Sequence, residues 1–173
     1  MGLGKTIQTL TLLLSRAEDG PALVVAPTSL LTNWARESAR FTPALKTVRL
    51  AAGGSAKARK KALKDAGPGT VVLTTYGLMQ RQTELFAEKH WHTVVLDEAQ
   101  AIKNPDSLRA KAAFQLNADF RVALSGTPVE NKALELWSLM KFLVPGLLGT
   151  KKSFEASHST AVAEGQGYEV VGL

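Results

Sequence analysis

Cysteine is absent from the 173 residues, which excludes disulfides, thiolate metal sites and a cysteine nucleophile and is compatible with a reducing compartment. Long apolar runs are absent too. The longest span a handful of residues, well short of the ~20 that a membrane helix needs. Met1 leads straight into Gly2, Leu3, Gly4 and Lys5 rather than into an export signal. The expectation is a cytoplasmic protein with no membrane partner, nucleoid-associated or, in a eukaryotic host, nuclear. Histidine is scarce, and His90, His92 and His158 are not spaced as metal ligands with an acidic partner, so no metal role is assigned to them. Acidic residues are in deficit, 15 against 21 Lys plus Arg, and the resulting net charge of +6 admits a polyanionic partner without naming one. What remains is a soluble globular composition, 45% hydrophobic and 21% charged. At roughly 150 residues per domain the length predicts one domain.

Short, continuously apolar runs rich in β-branched residues alternate with longer stretches of helical period, the pattern of a parallel sheet covered on both faces. The spacing predicts strands over Ala22–Ala26, Thr47–Leu50, Thr70–Thr75, Thr93–Asp97 and Arg121–Ser125. A first helix starts near Lys5, with Ile7, Leu10 and Leu14 on one face, and stops before Asp19-Gly20-Pro21. Further helices are predicted over Leu30–Phe41, Ala56–Asp65, Leu78–Lys89, Ser107–Leu116 and Ala133–Leu143. The basic cluster Lys57, Arg59, Lys60, Lys61 and Lys64 reads as the solvated face of one of them. From about Ser153 apolar periodicity fades and a loose tail is expected.

Gly4-Lys5-Thr6 opening an amphipathic helix matches the second half of the phosphate-binding pattern G-x-x-x-x-G-K-[ST], whose first glycine would lie upstream of Met1. Gly4 lets backbone approach a ligand, helix N-terminal amides face anionic oxygens, Lys5 adds a point charge and Thr6 offers a hydroxyl to Mg²⁺. A lone Gly-Lys-Thr triplet arises often by accident. Its weight increases with Thr93-Val94-Val95-Leu96-Asp97-Glu98-Ala99-Gln100, an apolar strand ending in two carboxylates. Asp97 can hold Mg²⁺ together with Thr6, and Glu98 can orient or deprotonate a water attacking a γ-phosphate. Both pieces fall at the C-terminal edge of one parallel sheet, where such folds bind ligands. At another strand end, Leu124-Ser125-Gly126-Thr127-Pro128 has the small hydroxyl residues of a hinge, though by itself it reads as a plain strand-to-turn connection.

Four segments, Met1 to Leu10, Val24 to Trp34, Leu96 to Asn104 and Leu124 to Asn131, resemble in order and spacing motifs I, Ia, II and III of the Swi/Snf-type DNA translocases of helicase superfamily two. The resemblance covers about residues 1–152. It implies a RecA-like P-loop fold, a three-layer α/β sandwich with a mainly parallel sheet. It further implies that Gly2, Gly4, Lys5 and Thr6 bind ATP, that Thr6 and Asp97 hold Mg²⁺, and that Lys5, Asp97 and Glu98 are catalytic. Gln100, Ser125, Gly126 and Thr127 would couple nucleotide state to the interface with a second RecA-like lobe. Pro27, Thr28, Ser29, Thr75 and Tyr76 would lie on the side that tracks double-stranded DNA, through sequence-independent contacts to its backbone. For Trp34, packing into the core is expected instead of DNA contact.

The chain has the length of one lobe of such a motor and is expected to lack both its partner lobe and the strand before the phosphate loop. The lobe is assigned to 1–152 and an irregular tail to 153–173, with the composition change at Ser157 read as a broken or shifted reading frame. Without the arginines of a second lobe, turnover is expected to fall by about 10³ to 10⁵. Two alternatives stand beside this reading. One is a catalytically inactive nucleotide- or nucleic-acid-binding fragment. The other is an RNA helicase lobe, disfavoured by Gln100 and the Ala-Ile-Lys-Asn continuation.

Overall fold

Runs of aliphatic and β-branched residues pack well on a pleated surface, and five of them form the strands β1 (Ala22–Ala26), β2 (Lys46–Arg49), β3 (Thr70–Thr75), β4 (His90–Asp97) and β5 (Asn117–Leu124). The computed structural model describes residues 4–50, 53–126 and 133–163. Gly2, Thr127 and the end of the tail, residues 164–173, lie outside them. The strand order is β2-β3-β1-β4-β5, and every pairing is parallel. This is the α/β architecture predicted from the sequence.

The helices are α1 (Lys5–Ser15), α2 (Thr28–Phe41), α3 (Ala56–Asp65), α4 (Tyr76–Arg81), α5 (Thr83–Ala87), α6 (Leu108–Phe114), α7 (Ala133–Leu143) and α8 (Lys151–Ala163), with short 3₁₀ turns at Ala17–Asp19 and Ala99–Ile102. Side chains alternate across a strand, so each central strand feeds two cores. Val24, Ala26, Val71, Leu73 and Val95 pack with Leu10 and Leu13 of α1 and with Leu31 and Trp34 of α2. Leu23, Val25, Val72, Val94 and Leu96 pack on the other face with residues of α3 to α7, among them Met79, Phe86 and Phe142. Three layers result, and because all strands run the same way, their C-terminal ends meet along one edge. Among the described residues no helix is long and apolar enough to cross a membrane.

Several elements depart from the sequence reading. Helix α1 buries Thr9, Leu10 and Leu13, whereas Ile7 and Leu14 are each 40% exposed, so the buried stripe is rotated from the predicted one. The predicted helix over Leu78–Lys89 is two helices: Gln82 leaves the helical region at φ −127°, and the Thr83 hydroxyl turns back to the carbonyls of Met79 and Gln80. Strand β5 begins at Asn117, earlier than predicted, because His90 at the start of β4 pairs with it despite its polar residues. The irregular tail expected from 153 is also corrected in part. Helix α8 reaches Ala163, started by the Thr150 hydroxyl, which accepts the Ser153 amide. In α3, Ser55 caps the N-terminus and only Leu63 is buried, which leaves Lys57, Lys60, Lys61 and Lys64 in solvent.

Candidate functional site

The site starts with the turn into α1. Gly4 lies at φ 67°, ψ 22°, in the left-handed region, where a side chain would cost about 1–2 kcal/mol. Among the described residues no side chain caps α1, and its first turn has no acidic residue, which leaves its amides and the positive end of its dipole suited to an anion. Lys5 and Thr6 are the first two residues of that turn.

Strand β4 supplies the carboxylates. Asp97 is 6% exposed and held on three sides. The Glu98 amide donates to its Oδ1 at 2.9 Å, the indole N–H of Trp34 donates to its Oδ2 at 2.9 Å, and the Tyr76 hydroxyl donates to its backbone carbonyl at 2.9 Å. Burial, with the charges of Asp97 and Glu98 beside it, pushes the Tyr76 phenol far above its ordinary value, so it stays a donor. Glu98 has φ 51°, ψ 55°, the one non-glycine residue with positive φ among the described residues. Such a conformation costs about 1–3 kcal/mol and persists where the surroundings impose it. It ends β4 abruptly and turns Glu98 away from the strand's alternation.

Glu98 Oε2 accepts from Gln100 Nε2 at 2.6 Å, and Gln100 Oε1 accepts from the Ser125 hydroxyl at 3.3 Å. A Cβ placed on Gly126 would stand 3.4 Å from Lys5 Nζ and 3.7 Å from Glu98 Oε2. Thus Lys5, Glu98 and Gly126, far apart in sequence, surround one small space. These are ordinary contact distances, so Gly126→Ala is expected to bind nucleotide with an affinity close to the parent's and to melt at a similar temperature; a loss of about tenfold or more, read by titration with a fluorescent ATP analogue, would show that a methyl group at 126 does crowd the Lys5 ammonium.

Among the described residues no group of three or more His, Asp or Glu is placed to hold a metal. Thr6 and Asp97 carry the one hydroxyl and one carboxylate that a hard divalent cation could take, its other oxygens coming from a phosphate and from water. Asp97 suits that part because, among the described residues, each carboxylate oxygen has a single donor and keeps lone-pair capacity.

Next to this space lies a cleft of about 430 Å³ whose lining includes Pro27, Thr28, Thr75, Glu98, Gln100 and Arg109. Residues expected on the nucleic-acid side therefore share one cleft with Glu98. Ser29 is exposed but does not line it. Tyr76 does line it; it is 4% exposed and its hydroxyl is engaged by the Asp97 carbonyl, so it meets the cleft without a free hydroxyl. Arg109 was not foreseen, because a single arginine in a helix has no motif to mark it. Trp34, 1% exposed, packs in the core as predicted. Its hydrogen bond to Asp97 spans 63 positions and left no local signal.

The SNF2-related domain family matches this chain over residues 1–173. The transcription regulatory protein SNF2 of Saccharomyces cerevisiae is 36% identical over 181 aligned residues, which cover 100% of this chain and 10% of that protein. A putative ATP-dependent helicase/translocase of Bacillus subtilis, YwqA, is 38% identical over 176 residues, 99% of this chain and 19% of the relative. The Sulfolobus solfataricus SWI2/SNF2 ATPase core in complex with dsDNA superposes with a TM-score of 0.80 at 40% identity, covering 95% of this chain and 34% of that one. The chain thus spans a tenth to a fifth of these curated relatives and about a third of the solved core.

Proposed function

This chain belongs to the SNF2-related domain family, and from that premise we propose that it is the ATP-binding lobe of a DNA-stimulated ATPase that couples ATP hydrolysis to translocation on double-stranded DNA. The observation that carries the reading is the convergence of Lys5, Glu98 and Gly126 on one space at the C-terminal edge of the sheet.

In this reading Gly4 and the open amides of α1 cradle the phosphates of ATP, Lys5 balances their charge, and Gly2 joins them in binding the nucleotide. Thr6 and Asp97 would hold Mg²⁺, which would supply charge neutralisation to the phosphates. Glu98 accepts a proton from the water whose oxygen bonds to the γ-phosphorus as the bond to the bridging oxygen breaks. Gln100 fixes the rotamer of Glu98 and is itself tied to Ser125, so a movement of the segment that includes Gly126 and Thr127 reaches the base within two hydrogen bonds. A second RecA-like lobe, facing this edge, would act on that segment and bring the arginines that complete the site.

Duplex DNA as the partner is supported by the cleft that joins Pro27, Thr28 and Thr75 to Glu98, and by the dsDNA complex of the Sulfolobus core. Ser29 adjoins that cleft, and Arg109 gives it a cation suited to a phosphate. Hydroxyls, backbone amides and one guanidinium contact backbone rather than bases, which predicts little sequence preference. The test is steady-state ATP turnover of the complete protein with no nucleic acid, with duplex DNA and with RNA. Duplex DNA is expected to stimulate most. Equal rates in all three, or stimulation by RNA alone, would overturn the proposal.

A further inference from the structure

Two buried aromatic residues, each with its polar hydrogen already engaged, end on the same carboxylate-bearing residue. Trp34 belongs to α2, whose first turn follows Pro27, and Tyr76 opens α4 immediately after Thr75. Pro27, Thr28 and Thr75 line the cleft beside Glu98. Helices α2 and α4 lie on opposite faces of the sheet, Trp34 packing in one core and Tyr76 in the other. Asp97 is therefore gripped from both faces, at its side chain by the Trp34 indole N–H and at its carbonyl by the Tyr76 hydroxyl, each at 2.9 Å.

We propose that Trp34 and Tyr76 are positioning residues that transmit occupancy of the cleft by duplex DNA to Asp97, and so to the cation and nucleotide that Asp97 serves. This rests on the reading of the site given above. The linkage is short and rigid. A close-packed interior passes on a displacement rather than absorbing it, and a helix moves as a unit. Trp34 is 1% exposed and Tyr76 4%, so neither has water as a substitute partner. A shift of either helix start toward a bound phosphate backbone must then lengthen or realign a bond to Asp97. Asp97 also carries the Glu98 amide on Oδ1, so its reorientation moves the residue that faces the water as well.

Coupling of this kind is reciprocal: DNA changes the affinity for cation and nucleotide by the factor with which these change the affinity for DNA. The experiment uses the complete protein and three replacements that remove a donor to Asp97, of which Trp34→Phe alone also removes a buried ring. These are Tyr76→Phe, Trp34→Phe, and benzothienylalanine at position 34, which keeps the two-ring shape and lacks the N–H. Mn²⁺ binding by electron paramagnetic resonance, with a non-hydrolysable ATP analogue, is measured with and without saturating duplex DNA, and DNA affinity is measured without nucleotide. In the parent, DNA is expected to change the Mn²⁺-nucleotide affinity about 5- to 150-fold. Losing either bond to Asp97 is expected to lower that factor about tenfold, or to abolish it where it is smaller, with DNA affinity unchanged. No coupling in the parent overturns the functional reading on which the proposal rests. Coupling in the parent that persists in Tyr76→Phe and in the benzothienylalanine protein overturns the proposal alone. Equal loss of every affinity together with a lowered melting temperature overturns it too, since that marks a role in packing only.

Discussion

Glu98→Gln in the complete protein is expected to lower ATP turnover by about 10²- to 10⁴-fold while leaving nucleotide affinity near that of the parent. The amide has the shape of the carboxylate, and its oxygen can still accept from Gln100, so the link to Ser125 survives. What disappears is the ability to take a proton from water. Lys5→Ala should fail earlier, at nucleotide binding, because it removes a charge from the phosphate cradle rather than a base. Rapid-quench turnover beside equilibrium binding separates the two losses. Unchanged turnover in Glu98→Gln would remove Glu98 from the role of base.

Trp91→Ala is expected to destabilise the protein by about 3–5 kcal/mol, a large part of the 5–15 kcal/mol that holds a domain together. Trp91 is fully buried in the core beneath α4 to α7, and its indole N–H donates to the Phe86 carbonyl at 3.0 Å, fixing the end of α5. Truncation leaves a cavity and a carbonyl with no donor, two costs that add. Equilibrium urea unfolding should show the midpoint fall with little change in slope. A loss under about 1 kcal/mol would mean that the core repacks around the gap.

The difference between these two residues shows what a sequence displays. Val24, Val25 and their neighbours in β1 announce a buried parallel strand because a strand covered on both faces needs an unbroken apolar run. Gly4-Lys5-Thr6 and Asp97-Glu98 announce phosphate chemistry because the required groups adjoin one another along the chain. Residues that act across the fold leave no such trace. The Trp34 bond to Asp97 spans 63 positions, Tyr76 reaches it across 21, and Arg109 comes to the cleft on a helix that carries no motif. The left-handed turn at Glu98 is illegible for a different reason: glutamate has no preference for that conformation, and the surroundings impose it.

By itself, then, the sequence determined the α/β class, the number and chain order of the five strands, the separate motif segments and, through the resemblance they carry, the family. These follow from hydrophobic period and from chemistry local to the chain, which the amino acids specify wherever they stand. Tertiary structure alone decided which face α1 buries, that Tyr76 turns inward, that Lys5, Glu98 and Gly126 share one space, and that Asp97 is held from both faces of the sheet. Those depend on how parallel strands stack their C-terminal ends along one edge, and only that stacking brings groups distant in sequence within hydrogen-bonding range.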